Sequence, residues 1–127
     1  MSDWQWVRTE RVRWGDCDAM GHVNNAVYST YLEEARIEAL GGLSSFILAR
    51  VEIDFRDQLR AGEEIEVRTR CSRVGTKSLD LLHEIHADGR LAAEAKSVLV
   101  GYDYELERSV ELSDAVRDRV SGTRASA

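Results

Sequence analysis

The spacing of hydrophobic positions changes period several times along this chain, and each change marks an element. From Trp6 to Trp14 the residues alternate loosely, with Val12 and Trp14 sharing a face, which predicts a first strand. After a polar loop, Tyr28, Leu32, Ala35 and Ala39 recur at helical spacing, and Tyr31 and Leu40 widen the stripe. Asn24 or Asn25 caps the start of this helix, because a short side-chain oxygen accepts from the unpaired N–H groups of the first turn. Gly41-Gly42 stops it, since glycine adopts the left-handed closing conformation without steric cost.

Beyond Ser44-Ser45 the period becomes two. Ile47, Ala49, Val51, Ile53 and Phe55 fall on one side of a long strand, and Gly62-Glu63 marks the turn that follows. Ile65, Val67, Thr69 and Cys71 then oppose Glu64, Glu66, Arg68 and Arg70, the pattern of a strand with one wet face, until Gly75 breaks it. Leu79, Leu81, His83 and Ile85 define a fourth strand. Asp88-Gly89 signals a two-residue hairpin into a fifth, running from about Leu91 to Tyr104, and a short capped helix is expected from Ser113 to Val120. Strand, helix, then four strands joined by tight turns is an α+β layout with an antiparallel sheet. The stripe of the one long helix has a single obvious place to be buried, the concave face of the twisted sheet, so the sheet is expected to wrap the helix.

The 127 residues fit one domain spanning 1–127, and a composition of 43% hydrophobic and 31% charged residues is that of a soluble globular protein. No apolar run approaches the roughly 20 residues that cross a bilayer, and the Met-Ser-Asp-Trp start lacks the basic and apolar regions of a signal peptide, so a cytoplasmic location and no membrane partner are expected. The net charge of −6 argues against a general nucleic-acid binder. Cys17 and Cys71 are too few for a disulfide scaffold or a thiolate zinc site, and His83 and His86 fall on opposite faces of a strand, so neither a metal nor another cofactor is expected.

The candidate chemistry is concentrated between Trp14 and Tyr28. This stretch carries Asp16, Asp18, His22, Asn24 and Asn25 just ahead of a helix start, where free N–H groups and the macrodipole favour a developing negative charge. A carboxylate facing such a site is what acyl transfer to water requires. Asp18 is the stronger candidate, because Asp16 is placed to end the strand and stiffen the loop. His22, four residues on, is close enough to share a proton with Asp18 or hold a water with it, or else bonds a backbone carbonyl. Gly21 lets an acyl group approach the backbone closely, and Tyr28 sits in the first helical turn beside the loop. Cys17, flanked by two aspartates, is poorly placed as a nucleophile. Glu33, Glu34, Arg36 and Glu38 are expected to form ordinary helix-surface pairs. Lys77, one of two lysines, stands with Ser78 on a turn suited to a phosphate contact.

Taken together, Trp14-Gly-Asp-Cys-Asp-x-x-Gly-His-Val-Asn-Asn-x-x-Tyr28 and the following Tyr-Leu-Glu-Glu-Ala-Arg36 resemble the hotdog-fold acyl-CoA thioesterases, in particular the 4-hydroxybenzoyl-CoA thioesterase-like family. The resemblance continues through Val51-Glu-Ile-Asp-Phe55, Gly62-Glu, Val74-Gly-Thr-Lys-Ser78 and the final strand. It implies a hotdog fold, a five-stranded antiparallel sheet around one long helix with a short C-terminal helix, and hydrolysis of an acyl-CoA thioester. It also implies that Asp18 is the catalytic carboxylate, as base or nucleophile, and that the Asn25 N–H polarises the thioester carbonyl. His22 and Asn24 then orient water or the carboxylate, and Lys77 lies near coenzyme A phosphates, aided by arginines such as Arg56, Arg60, Arg73 or Arg90. Plant acyl-carrier-protein thioesterases look similar through a related run, but their catalytic asparagine falls on Met20. A non-catalytic acyl-binding protein of the same fold and a carrier-protein thioesterase are the rival readings. The family further implies homodimers that pair sheets edge to edge, build the sites at their interface and often assemble into homotetramers.

Overall fold

The computed structural model describes residues 3–122. Its sheet consists of β1 (Trp6–Arg11), β2 (Phe46–Phe55), β3 (Glu64–Val74), β4 (Ser78–Ala87) and β5 (Arg90–Asp103), all antiparallel, with the helix α1 (Asn25–Leu40) on one face. The strand order is β1-β3-β4-β5-β2, which leaves β1 and β2 at the two edges. A two-residue strand, β6 (Arg108–Ser109), folds back on the end of β5, and a second helix, α2 (Asp114–Gly122), follows it. The boundaries follow from local chemistry. The Asn24 side chain accepts from the Ala26 N–H at 2.9 Å, and Gly41, at φ 74°, ends α1 by donating to the Ile37 carbonyl. Asp88 and Gly89 both have positive φ, 50° and 75°, the geometry that matches a tight hairpin to the strand twist.

The apolar stripe of α1 is buried in two clusters. Tyr28, Tyr31, Leu32 and Ala35 pack with Ile65, Val67, Ile85 and Ala93, while Ala39 and Leu40 pack with Phe46, Leu79, Leu81 and Leu99, closed by Leu112 and Val120 from the C-terminal segment. A polar seam lies between them. His83 Nδ1 is 2.9 Å from Thr69 Oγ1, its Nε2 is 2.9 Å from Ser97 Oγ, and Arg36 Nη1 donates to that same Ser97 oxygen at 3.3 Å. Burial, reinforced by the Arg36 charge, pushes the His83 pKa down to about 3, so the ring is neutral at physiological pH.

Three expectations need correction. The first strand ends at Arg11, and Trp14, expected beside Val12, is instead 86% exposed. The Asp16 carboxylate accepts from the Arg13 N–H at 3.1 Å and winds Trp14–Asp16 into a 3-10 turn, which carries the chain out of the sheet. In β2, the pairing with β5 slips at Ala49, so Leu48 opposes Leu99 but Arg50 opposes Val98. This bulge puts Phe46 and Leu48 on the helix side together with Val51, Ile53 and Phe55, and turns Ile47 away from it. Arg36 was expected on the helix surface, yet it is 4% exposed and makes no ion pair with Glu33, Glu34 or Glu38.

Candidate active site

The loop between β1 and α1 is closed by its own backbone. Cys17 and Val23 form an isolated antiparallel bridge, the Asn24 N–H donates to the Asp16 carbonyl at 3.0 Å, and the Val23 N–H donates to Leu59 O at 2.8 Å. Within it, Asp18 to His22 make a tight turn in which the Asp18 N–H donates to His22 O at 2.8 Å. Gly21, at φ 82°, supplies the left-handed residue that this turn needs, and a side chain there would meet open space.

The two aspartates differ sharply. Asp16 is 7% exposed, and its carboxylate accepts from the Arg13 N–H, the Arg13 guanidinium at 3.3 Å and the Tyr31 hydroxyl at 2.8 Å. Burial alone would raise its pKa, but these donors and the Arg13 charge together hold it below the ordinary value. Burial and the adjoining Asp16 carboxylate push the Tyr31 pKa upward, so the phenol keeps its proton and donates. Asp18 is exposed. Its Oδ1 accepts from the Met20 N–H at 2.9 Å and, more weakly, from the His22 N–H at 3.4 Å, and Oδ2 has no donor among the described residues. The loop thus aims one carboxylate oxygen at its own backbone and leaves the other free.

Around this turn stand the remaining candidates. The His22 ring is partly buried and without a hydrogen-bond partner among the described residues, and its backbone bridges to Arg60. Asn25 occupies the first helical position, where its N–H has no acceptor within the helix. Asn24 is committed to its capping bond. Tyr28 is buried, its hydroxyl 3.4 Å from the Asp57 carbonyl and its ring edge-on to Phe55 at 5.0 Å.

Sequence reasoning missed the strut behind the loop. Arg90 grips both Glu63 oxygens at 2.8 Å, Asp57 at 3.0 Å and the Gln58 carbonyl at 2.7 Å, which fixes the 57–63 segment whose Leu59 and Arg60 back the Asp18 turn. Arg90 is therefore spent internally. So are Arg56, on Glu94 at 2.9 Å, and Arg73, on Asp80 at 2.9 Å, whereas the Arg60 guanidinium has no ion-pair partner among the described residues. No spacing in the sequence signals such pairings, which join residues far apart along the chain.

Lys77 and Ser78 do not meet Asp18 within one chain. Their turn lies at the opposite end of β3, about 30 Å away along a strand of 11 residues. Lys77 is exposed, its carbonyl accepting from the Gly101 N–H at 2.8 Å, and Ser78 Oγ accepts from Arg73 at 2.7 Å.

An antiparallel sheet packed along one long helix, with a capped helix start behind an Asp-bearing turn, defines the hotdog class. The sequence profile of the Thioesterase-like superfamily matches residues 12–120, and the chain belongs to that family. It is a thioester hydrolase by this membership. Among solved structures, a thioesterase from Thermus thermophilus complexed with coenzyme A and Zn is 34% identical, with 94% of each chain covered and a TM-score of 0.86. A predicted thioesterase from Bacillus stearothermophilus is 25% identical over 96% of this chain and 98% of its own, with a TM-score of 0.88. The long-chain acyl-CoA thioesterase FadM of Escherichia coli K12 is 24% identical over 122 residues, covering 87% of this chain and 92% of FadM. Among the described residues of this chain, no three His, Cys, Asp or Glu side chains converge as a metal-binding group, and no helix is long and apolar enough to cross a membrane.

Proposed function

We propose that this protein hydrolyses an acyl-CoA thioester to the free acid and coenzyme A, with Asp18 as the working carboxylate. The observation that carries this reading is the difference between the two loop carboxylates. Asp16 is saturated by donors, whereas Asp18 presents a free oxygen in the turn that the Cys17–Val23 bridge ties to the helix start bearing the unpaired Asn25 N–H. As the carbonyl oxygen gains charge, that N–H and the helix dipole stabilise it, an effect worth about 3 kcal/mol for one good donor. Asp18 either removes a proton from water as its oxygen bonds to the carbonyl carbon, or attacks that carbon itself to give an anhydride that water opens. In both routes the C–S bond breaks and the thiolate leaves. His22 orients the water, and Gly21, which has no side chain, admits the thioester.

The site is completed by a second copy of the chain. β2 is an edge strand whose Ile47, Leu48, Val51 and Phe55 are all exposed, the kind of unpaired apolar edge that needs covering. Two-fold antiparallel pairing through β2 sets the start of one β2 beside the end of the other. The start of β2 lies at the same end as the Lys77 turn, through the Phe46 and Gly101 pair, and its end lies beside Tyr28 and the Asp18 loop. The partner's end bearing that turn therefore approaches this chain's carboxylate. Lys77, with Ser78 beside it, and the free Arg60 are the proposed phosphate contacts. Further pairing of dimers into tetramers and a cytoplasmic location, in keeping with the free cysteines Cys17 and Cys71, belong to the same proposal.

Thiol release from a series of acyl-CoAs tests it. Wild type is expected to turn over at least one of them, and Asp18→Asn to lose about 100-fold or more in kcat. Retained turnover in the variant would remove Asp18 from the mechanism. Acyl-CoA binding without turnover would instead identify a holder of acyl groups, and turnover restricted to carrier-protein thioesters would identify a carrier-protein thioesterase.

A further inference from the structure

Arg36 is a charged group that the proposed chemistry does not use, buried where a charge is costly. Its Nη1 is bound to Ser97 Oγ, its Nε is fully buried with no acceptor, and among the described residues no carboxylate lies within ion-pair distance of the guanidinium. With Nη1 occupied, the unused edge consists of Nε and Nη2. Nε is sealed from solvent, so Nη2 is the N–H group that a ligand oxygen can reach. Ser97 Oγ, itself bonded to His83, holds the guanidinium through Nη1. A cleft of about 200 Å³ opens beside it, lined by Arg36, Glu33, Phe46, Leu48, Leu99 and Tyr104. At roughly 30 Å³ for a water-sized group, it has room for about six non-hydrogen atoms.

An apolar track joins this cleft to the reactive loop. The bulge at Ala49 turns Leu48, Val51, Ile53 and Phe55 to the helix side of β2, and Phe55 touches Tyr28 in the first turn of α1. Phe55, Val51 and Leu48 are 45%, 39% and 43% exposed in the single chain, so the track runs along the edge that a second copy would cover and forms one wall of a groove between the copies. Asn25 and Arg36 lie on one helix, about 16 Å apart along its axis. An extended chain advances about 3.5 Å over three bonds, so about 14 bonds cover that distance.

We infer that the Arg36 cleft is the terminal subsite of the acyl groove and receives a carboxylate at the far end of the acyl chain, so that CoA thioesters of medium-length dicarboxylic acids are the preferred substrates. This inference rests on the hydrolase reading above. Glu33 is the other charged residue lining the cleft, and it opposes an incoming carboxylate from the solvent side.

The test compares thiol release from dodecanoyl-CoA with that from the mono-CoA thioester of dodecanedioic acid, using the full-length protein. Thermal melting with free dodecanoate or free dodecanedioate runs beside it. The expected kcat/KM ratio favours the dicarboxylic thioester by about tenfold or more. Arg36→Met is expected to bring the ratio to within about twofold of unity. It removes an unmatched buried charge, a change that folded proteins tolerate well. Arg36→Lys keeps the charge on a single, differently placed nitrogen and falls between, and Glu33→Gln raises the ratio. A wild-type ratio near unity that Arg36→Met leaves unmoved overturns the inference while sparing the hydrolase. So does dissociation of an Arg36→Met oligomer without any dicarboxylate effect, which assigns the guanidinium to a subunit contact. If no thioester is cleaved, the hydrolase reading fails and melting decides. Selective stabilisation of wild type by dodecanedioate, absent in Arg36→Met, upholds the subsite, and its absence rejects it.

Discussion

Asp16 and Asp18 stand two residues apart in one loop, and their surroundings could hardly differ more. The first is inside, held by a main-chain N–H, a guanidinium and a phenol; the second is outside, with half of its carboxylate committed to a turn and half to nothing. A carboxylate whose every oxygen is satisfied adds to folding and is poorly disposed for chemistry. One left open contributes little to the fold and is available to a reacting group. The same substitution at the two positions should therefore separate stability from activity. Asp18→Asn keeps the Oδ1 that accepts from Met20, so its unfolding free energy should stay within about 0.5 kcal/mol of wild type while turnover falls about 100-fold or more. A melting curve measured on the sample used for thiol release checks both. A variant that loses activity only by melting early would reduce Asp18 to a second structural aspartate.

The openness of Asp18 in a single chain also ties its chemistry to assembly. If a second copy completes the site, sedimentation should find dimers, and the rate per chain should fall as dilution dissociates them. A rate that stays constant down to a monomeric concentration would mean that the exposed carboxylate works alone.

The asymmetry between the aspartates was only half legible in the sequence. The Asn24 cap, the Gly41 stop and the Asp88-Gly89 hairpin are fixed by residues within a few positions of each other, and these appear as the local pattern requires. What escaped depends on distant partners. Trp14 leaves the sheet because Asp16 winds a turn, and that carboxylate is anchored by Tyr31, 15 residues away. Ile47 changes faces because β5 slips by one residue against β2 at Ala49, a matter of pairing rather than of periodicity. Arg36 lies four residues from both Leu32 and Leu40, on the apolar stripe itself, and its charge rather than its spacing suggests the surface. What lies far downstream is the partner that lets the charge stay inside, Ser97 on β5.

At the buried member of the pair, Asp16→Asn should cost about 2–3 kcal/mol of stability. It removes a charge that accepts three charge-assisted or buried hydrogen bonds and presents an amide N–H to donors. The pH dependence has a definite sign. The folded-state pKa of Asp16 is depressed, so the stabilisation is fully present above the unfolded value near 4 and fades as pH falls through the lower folded value. Chemical denaturation at several pH values should show a constant gap between wild type and variant above about pH 5 that narrows below about pH 4. A gap that widens in acid would reverse the assignment.

The smallest effect tests whether the two aspartates are energetically separate. Tyr31→Phe removes one donor to Asp16 and leaves the ring packed against Tyr28 in the core. It should cost about 1 kcal/mol, since the carboxylate keeps its two Arg13 donors and loses one buried bond. Because Tyr31 touches Asp16 and not Asp18, turnover should remain within a fewfold of wild type. In a double-mutant cycle with Asp16→Asn, the double variant should lose less than the sum of the two single losses, because both variants break the same bond. Additive losses would show that the 2.8 Å contact carries no energy, leaving burial and Arg13 to account for the whole difference between the aspartates.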